Sequence, residues 1–233
     1  MLQRYGEAAR ITLNRPGKRN ALSTGMLRQL RDVLETVSAD SDLRVVTVHG
    51  AGPVFCAGAD TREFGSATAE YILGPWTVLG QRVFNAMAEL PQTTIAVITG
   101  GAYGGGLELA LHCDFRIAAR GAVVALPEAA LGTAPGWSGL SRVVEVAGLR
   151  AARMLALTGR RLGAADALRL GVVDEVADDA DSAAQELVSD ILATAPAAQS
   201  IIKRALTNRQ PSAALVDSLA GAYLAHAAPQ GRT

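Results

Sequence analysis

Two glutamates stand where carboxylates seldom stand alone. Glu108 lies inside Gly105-Gly-Leu-Glu-Leu-Ala-Leu111, and Glu128 follows Val123-Val-Ala-Leu-Pro127 and precedes Ala129-Ala-Leu131. Their neighbours are suited to burial. Desolvation raises the pKa of a lone buried carboxyl, and a second carboxylate nearby raises one of the pair further. That tuning suits general acid/base work near neutral pH. Equally, each is the kind of acid that a helix start favours through its dipole.

Two glycine-rich loops accompany the acids. The first holds Val54-Phe-Cys-Ala-Gly-Ala-Asp60, and the second runs Gly101-Ala-Tyr-Gly-Gly-Gly-Leu-Glu108. Each follows an apolar stretch and leads toward a helix. Helix starts leave backbone N–H groups free to point at an anion. Small residues let a ligand approach the backbone closely. Two such donors converging on one oxygen would form an oxyanion hole. Tight turning and close packing would account for the glycines alone.

These loops need a frame to hold them. Strands are expected over 10–14, 43–49, 93–99, 115–119, 123–126 and 172–176, where β-branched residues cluster. Helices are expected over 75–90 and 107–112, and over a segment begun by Ser23 or Thr24. In that segment Met26, Leu27, Leu30, Val33, Leu34 and Val37 recur at helical spacing. Beyond Pro135 the chain reads as mostly helical, over 140–147, 149–157, 164–170, 181–193, 197–207 and 213–225. The alternation implies an α/β fold with parallel strands buried on both faces.

Composition excludes several classes. Of 233 residues, 49% are hydrophobic and 19% charged, which excludes a disordered chain. Twenty-two basic and 22 acidic residues leave no net charge to draw nucleic acid or anionic membrane. Aromatics at 4% leave few platforms for stacking bases. Two cysteines, Cys56 and Cys113, make no disulfide framework and fit a reducing compartment. The first ten residues have no apolar run of a secretory leader. A membrane span over 95–111 would have to hide Glu108. A cytoplasmic protein with no nucleic-acid or membrane partner is expected.

Other motifs carry less. No GxxxxGK[ST] phosphate loop occurs, and 101–106 does not fit GxGxxG. Gly136-Trp-Ser-Gly139 falls one residue short of GxSxG, so Ser138 reads as a helix cap rather than a nucleophile. His49, His112 and His226 are scattered, and no metal site is expected. Cys56 reads as a small buried residue.

Over nearly its whole length the chain resembles the enoyl-CoA hydratase/isomerase (crotonase) superfamily. The resemblance is carried by Leu13-Asn-Arg-Pro-Gly-Lys-Arg-Asn-Ala-Leu22, Phe55-Cys-Ala-Gly-Ala-Asp60, Ile98 to Asp114, and Leu126-Pro-Glu-Ala-Ala-Leu-Gly-Thr-Ala-Pro-Gly136. It continues through Leu157-Thr-Gly-Arg160 and 164–173. It implies a crotonase-like spiral of repeated ββα units over 1–176, then a helical trimerisation region over 177–233. It also implies a homotrimer or hexamer acting on an acyl-CoA thioester. CoA belongs to the substrate, so no separate cofactor is expected.

By position, the resemblance makes the N–H groups of Ala59 and Gly105 the oxyanion hole. Ala57, Ala59, Asp60, Thr61 and Arg62 would bind adenine and pantetheine through backbone atoms. Arg19 would face the CoA phosphates, and Gly136 would border the substrate. Glu108 and Glu128 fall on the two catalytic glutamate positions of the hydratases. Glu108 is expected to activate water toward the β-carbon, and Glu128 to deliver a proton to the α-carbon. The roles interchange readily, because coupled acids titrate as a pair.

Three departures stand out. Leu126 replaces a polar residue frequent in hydratases. Trp137 and Ser138 replace small residues after Pro135-Gly136, and the Trp either reshapes the acyl pocket or packs on a helix. The family's C-terminal helix, with its basic, aromatic-tipped end, is expected to be missing, so the helical region is shorter than usual. Residues 71–76 read either as a lining of the acyl tail or as a surface loop. The favoured activity is an enoyl-CoA hydratase, a lyase. The alternatives are an enoyl-CoA isomerase or another crotonase reaction, and a non-catalytic CoA-binding subunit.

Overall fold

The computed structural model describes residues 1–208 and 221. The β-branched runs of the first half form strands, as their composition implies. In chain order these are β1 (Leu2–Tyr5), β2 (Ala8–Leu13), β3 (Val45–Gly50), β4 (Val54–Cys56) and β5 (Thr93–Ile98). They continue as β6 (Gly101–Tyr103), β7 (Phe115–Ala119), β8 (Val123–Ala125), β9 (Leu162–Gly163) and β10 (Glu175–Ala177). The helices are α1 (Thr24–Ala39), α2 (Thr61–Ser66), α3 (Ala69–Tyr71), α4 (Thr77–Glu89), α5 (Gly105–Leu111), α6 (Gly139–Thr158), α7 (Ala164–Arg169), α8 (Ala180–Leu192) and α9 (Pro196–Asn208).

Two sheets share the strands. One has six in the order β1-β2-β3-β5-β7-β10, and the other has four in the order β4-β6-β8-β9. From β2 to β10 the larger sheet is parallel, as is β4-β6-β8 in the smaller. Successive strands alternate between the sheets before the chain turns helical. Strands β3 and β4 lead to α2–α4, β5 and β6 lead to α5, and β7 and β8 lead to α6. The result is a spiral of ββα turns.

Strand periodicity sorts side chains to two cores. Val46, Val48, Ala96 and Ile98 join the main core with Leu27, Leu30 and Leu34 of α1 and Val83, Phe84 and Met87 of α4. Their neighbours Val45, Ile95 and Val97 face the other way, onto Ala180, Ala183, Ala184 and Ile191 of α8. Burial on both faces explains why these strands read as unbroken apolar runs. Helix α1 starts at Ser23, whose side chain accepts from Met26 N–H at 3.2 Å. The second capping contact is remote in sequence. Glu63 Oε2 accepts from Thr24 N–H at 2.8 Å, and Glu63 Oε1 from the Thr24 hydroxyl.

Several boundaries differ from the sequence reading. Strands β4 and β6 lie inside stretches read as glycine loops, and β1, β9, α2 and α3 are additional. Three-residue strands, Val54-Phe-Cys56 and Gly101-Ala-Tyr103, are too short to give a periodic signal. The strand expected over 172–176 is the short β10, because Val172 and Val173 turn into the core. Gly148, at φ 79°, interrupts α6 and accounts for the two helices expected there. Ser138 precedes α6 in a left-handed conformation, and its side chain makes no capping bond. Apart from Gly221, the helix expected over 213–225 lies outside the described residues, as does His226. No helix among them is long and apolar enough to cross a membrane.

Candidate active site

The site gathers where β4 and β6 run out of the smaller sheet. Beyond β4, Ala59 forms a single parallel bridge with Leu22. Leu22 N–H donates to Gly58 O at 2.8 Å, and Asp60 N–H to Leu22 O at 3.0 Å. Alternation along an extended chain then points the N–H of Ala59 away from Leu22. Beyond β6, Gly104 takes φ 51° and ψ −126°, a conformation that favours glycine, and starts α5. Gly105 N–H belongs to the first turn of that helix, where no intrahelical acceptor exists. Among the described residues neither N–H has a protein acceptor.

These two donors border one space. A Cβ built on Gly105 would lie 3.5 Å from Ala59 N, and one on Gly58 would lie 3.2 Å from Gly105 N. Any side chain at 105 would also meet Trp137, at 2.5 Å from Cζ3. The glycine therefore lets the indole pack against the turn that presents its N–H. Two neutral N–H dipoles bordering one space can stabilise negative charge that develops between them.

Both acids close on the same turn. Glu108, one helical turn into α5, is 2% exposed. Its Oε1 accepts from Trp137 N–H at 2.9 Å and Gly139 N–H at 2.8 Å, and no protein group among the described residues donates to Oε2. Burial pushes its carboxyl up to about 7, against the pull of the two amides and with the charge of Glu128 adding to the rise. Glu128 opens a short 3-10 turn, Glu128–Leu131. A Cβ on Gly104 would lie 2.7 Å from Glu128 Oε1, so this carboxyl sits directly over the turn that presents Gly105. Glu128 Oε2 is buried without a protein partner, and burial raises its pKa as well.

Burial raises both acids and Glu108 the more, so near neutral pH the pair can hold a proton that free carboxylates would have lost. Together with the two unpaired amides of Ala59 and Gly105, such a site could polarise a carbonyl, take a proton from water and return one to carbon.

The remaining expected binding residues cluster one step away. Ala57, Ala59, Asp60, Thr61 and Arg62 line a cavity of about 230 Å3 together with Arg19 and Lys18. Ala57 N–H is taken up by Arg19 O at 2.9 Å. The Asp60 side chain faces inward. It caps α2 by accepting from Arg62 N–H at 3.2 Å, and it pairs with Arg15 at 3.0 Å. Gly136 lies outside this cavity, against Trp76, and its carbonyl accepts from Gln81 Nε2 at 3.1 Å.

Sequence reasoning missed three contributors. Asn20 is fully buried in a left-handed conformation at φ 56°. Its Nδ2 donates to the carbonyls of Ala51, Val54 and Phe55, and its Oδ1 accepts from Arg15 N–H. It thereby pins the loop carrying Lys18 and Arg19 to β4. The N–H groups of Trp137 and Gly139 act through the backbone, which residue type does not reveal. Cys56 is buried, and burial pushes its thiol up to about 12. His112 is buried, with Nδ1 2.7 Å from Glu108 O, and burial lowers it to about 4. Among the described residues no group of three or more His, Cys, Asp or Glu could hold a metal.

Comparison with known proteins gives the family and the fold. The family model described as enoyl-CoA hydratase/isomerase matches residues 3–227. A short-chain-enoyl-CoA hydratase of Clostridium acetobutylicum is 35% identical over 210 residues, 88% of this chain and 80% of that protein. The crystal structure of an enoyl-CoA hydratase from Bacillus anthracis superposes with a TM-score of 0.89 at 33% identity, covering 96% of this chain and 88% of that one. A Thermobifida fusca structure in complex with CoA superposes with a TM-score of 0.85 at 32% identity, covering 97% and 91%.

Proposed function

Because the chain belongs to the enoyl-CoA hydratase/isomerase family, we propose that it adds water reversibly across the 2,3 double bond of a 2-enoyl-CoA thioester. One observation carries the choice of hydration: two carboxyls, buried Glu108 and half-buried Glu128, share the turn that presents the Gly105 N–H. Moving a double bond needs a single acid that shuttles one proton. Hydration needs one group to take a proton from water and another to give one to carbon.

In this reading the thioester oxygen accepts from Ala59 N–H and Gly105 N–H. The bound water gives a proton to Glu108, and its oxygen forms a bond to the β-carbon. The π electrons move into an enolate whose charge rests on the oxygen between the two amides. Glu128 then protonates the α-carbon, and the proton held by Glu108 returns to Glu128 directly or through solvent. The two acids act as one titrating pair. No cofactor is required, since CoA is part of the substrate. Its phosphates suit the cationic rim of Lys18, Arg19 and Arg62 around the cavity of about 230 Å3, in line with the CoA held by the Thermobifida fusca neighbour.

The same reading makes the chain a homotrimer or hexamer. Leu140, Val144, Leu149 and Leu157 are exposed along α6, on both sides of Gly148, apolar surface that subunit contact would cover. Light scattering of the purified protein tests this.

Activity is tested by mixing protein with crotonyl-CoA and following loss of the conjugated enoyl-thioester absorbance. Loss that disappears in Glu108→Gln supports hydration through Glu108. If folded protein shows no loss but shifts a 3-enoyl thioester to the 2-enoyl form, and Glu128→Gln alone abolishes that, the reaction is isomerisation. Acyl-CoA binding without any turnover would mark a binding subunit.

A further inference from the structure

The indole of Trp137 is 1% exposed, and both its edges are fixed. Its benzo edge lies against Gly105. A Cβ there would be 2.5 Å from Cζ3 and 2.8 Å from Cε3, and 3.5 Å from the oxyanion donor Ala59 N. Its pyrrole edge lies against Gly80 of α4, where any Cβ would collide with Nε1. Trp76 packs on it with centroids 4.4 Å apart, and Phe84 meets it edge-on at 5.3 Å. Trp76 is itself held by Phe64 at 5.5 Å. The backbone N–H of Trp137 anchors Glu108. A ring wedged on two edges and stacked behind does not swing aside like an exposed side chain.

The reacting carbons must lie between the amides of Ala59 and Gly105 and the two carboxyls. An acyl chain continuing beyond the β-carbon has to leave that space. On the side of Gly105 and Ala59 it meets the indole, and behind the indole stands Trp76. We propose that Trp137, backed by Trp76, ends the acyl pocket and restricts the enzyme to short 2-enoyl groups of about four carbons. The proposal rests on the hydratase reading for the double bond, but not for the length rule, which concerns binding as well as turnover.

The test compares crotonyl-CoA with trans-2-decenoyl-CoA in wild type, Trp137→Ala and Trp137→Phe. Each methylene without room costs roughly tenfold or more in discrimination, so wild-type kcat/KM is expected to fall by at least about 100-fold from four to ten carbons. Trp137→Ala is expected to narrow that ratio to within about tenfold, and Trp137→Phe to narrow it in part. Phe keeps an aromatic ring against Trp76 and Phe84, which guards against a variant that fails to fold. A wild type that treats both substrates alike overturns the proposal. So does a pair of variants that lose both activities equally and leave the ratio unchanged. Calorimetry with butanoyl-CoA and decanoyl-CoA, which cannot be hydrated, separates the two readings. Discrimination in binding that relaxes in the variants, without turnover of any enoyl thioester, would refute hydration and keep the length rule. Equal binding of the two thioesters would refute the length rule alone.

Discussion

Gly139 leaves the space that Glu108 occupies. Its N–H donates to Glu108 Oε1 at 2.8 Å, and a Cβ at this position would lie 2.6 Å from Oε1 and 2.8 Å from Cδ. The start of α6 thus both orients the acid and makes room for it. Gly139→Ala must push the carboxyl out of position or pull α6 away from it. Displacement of a reacting group by about 1 Å costs about 100-fold in rate. The expected outcome is kcat on crotonyl-CoA lowered about 100-fold with KM changed less than about threefold, since 139 is remote from the cavity at residues 17–21 and 57–62. Steady-state kinetics check this, and a kcat within threefold of wild type would show that Glu108 does not need this seat.

Burial of Glu108 makes stability depend on pH. The carboxyl is raised from 4.5 to about 7, chiefly by desolvation. Between those values the folded state holds a proton that the unfolded state has released. The contribution is complete below about 4.5 and is lost as pH rises through about 7. Glu108→Gln keeps a carbonyl oxygen for the amides of Trp137 and Gly139 but carries no charge to bury. At pH 8 the variant should be more stable than wild type by about 3 kcal/mol, or roughly 6 to 12 °C in Tm. Near pH 4.5 the difference should vanish. Thermal melts at the two pH values decide, and parallel shifts at both would refute the assignment.

Much of this was readable from residues, and the failures have one cause. The α1 face, the buried strands β3, β5 and β7, both acids and both glycine loops announce themselves through period, β-branching or a charge out of place. What hides is held by backbone atoms or by contacts remote in sequence. Strands β4 and β6 are three residues each, too short for a period to show. Glu63 capping α1 joins positions 39 residues apart. The amides that orient Glu108 belong to Trp137 and Gly139, so the pattern shows only an unusual tryptophan, not its N–H.

The two acids should give a bell-shaped profile of kcat/KM against pH, whose two midpoints belong to the pair. Burial raises both carboxyls, so both midpoints should lie above the ordinary carboxylate range. Glu128→Gln leaves Glu108 as the one titrating base. Its residual rate, lower by about 1000-fold, should show a single acid limb, rising as Glu108 ionises. A Glu128→Gln variant that keeps only an alkaline limb would exchange the two roles.

Asn20 makes four hydrogen bonds at 2.7 to 3.2 Å: three from Nδ2 tie the loop bearing Lys18 and Arg19 to Ala51, Val54 and Phe55, and Oδ1 accepts from Arg15 N–H. Its left-handed backbone suits asparagine and aspartate better than most residues. Asn20→Asp therefore keeps the shape and the conformation but removes the Nδ2 donor. Three carbonyls would then face a carboxylate, and buried polar groups left without partners cost about 1 to 3 kcal/mol each. Part of that is relieved by loop movement, so a net loss of roughly 3 kcal/mol is expected, or roughly 6 to 12 °C in Tm. The same movement displaces Lys18 and Arg19 from the cavity they line with Thr61 and Arg62. The affinity for CoA thioesters should accordingly fall about tenfold or more, while kcat at saturation stays within a few-fold, because Glu108 and Glu128 are seated by other elements. Melting curves and calorimetric titration with butanoyl-CoA measure the two effects. A variant that melts like wild type and binds butanoyl-CoA equally well would show that the loop holds its place without Asn20.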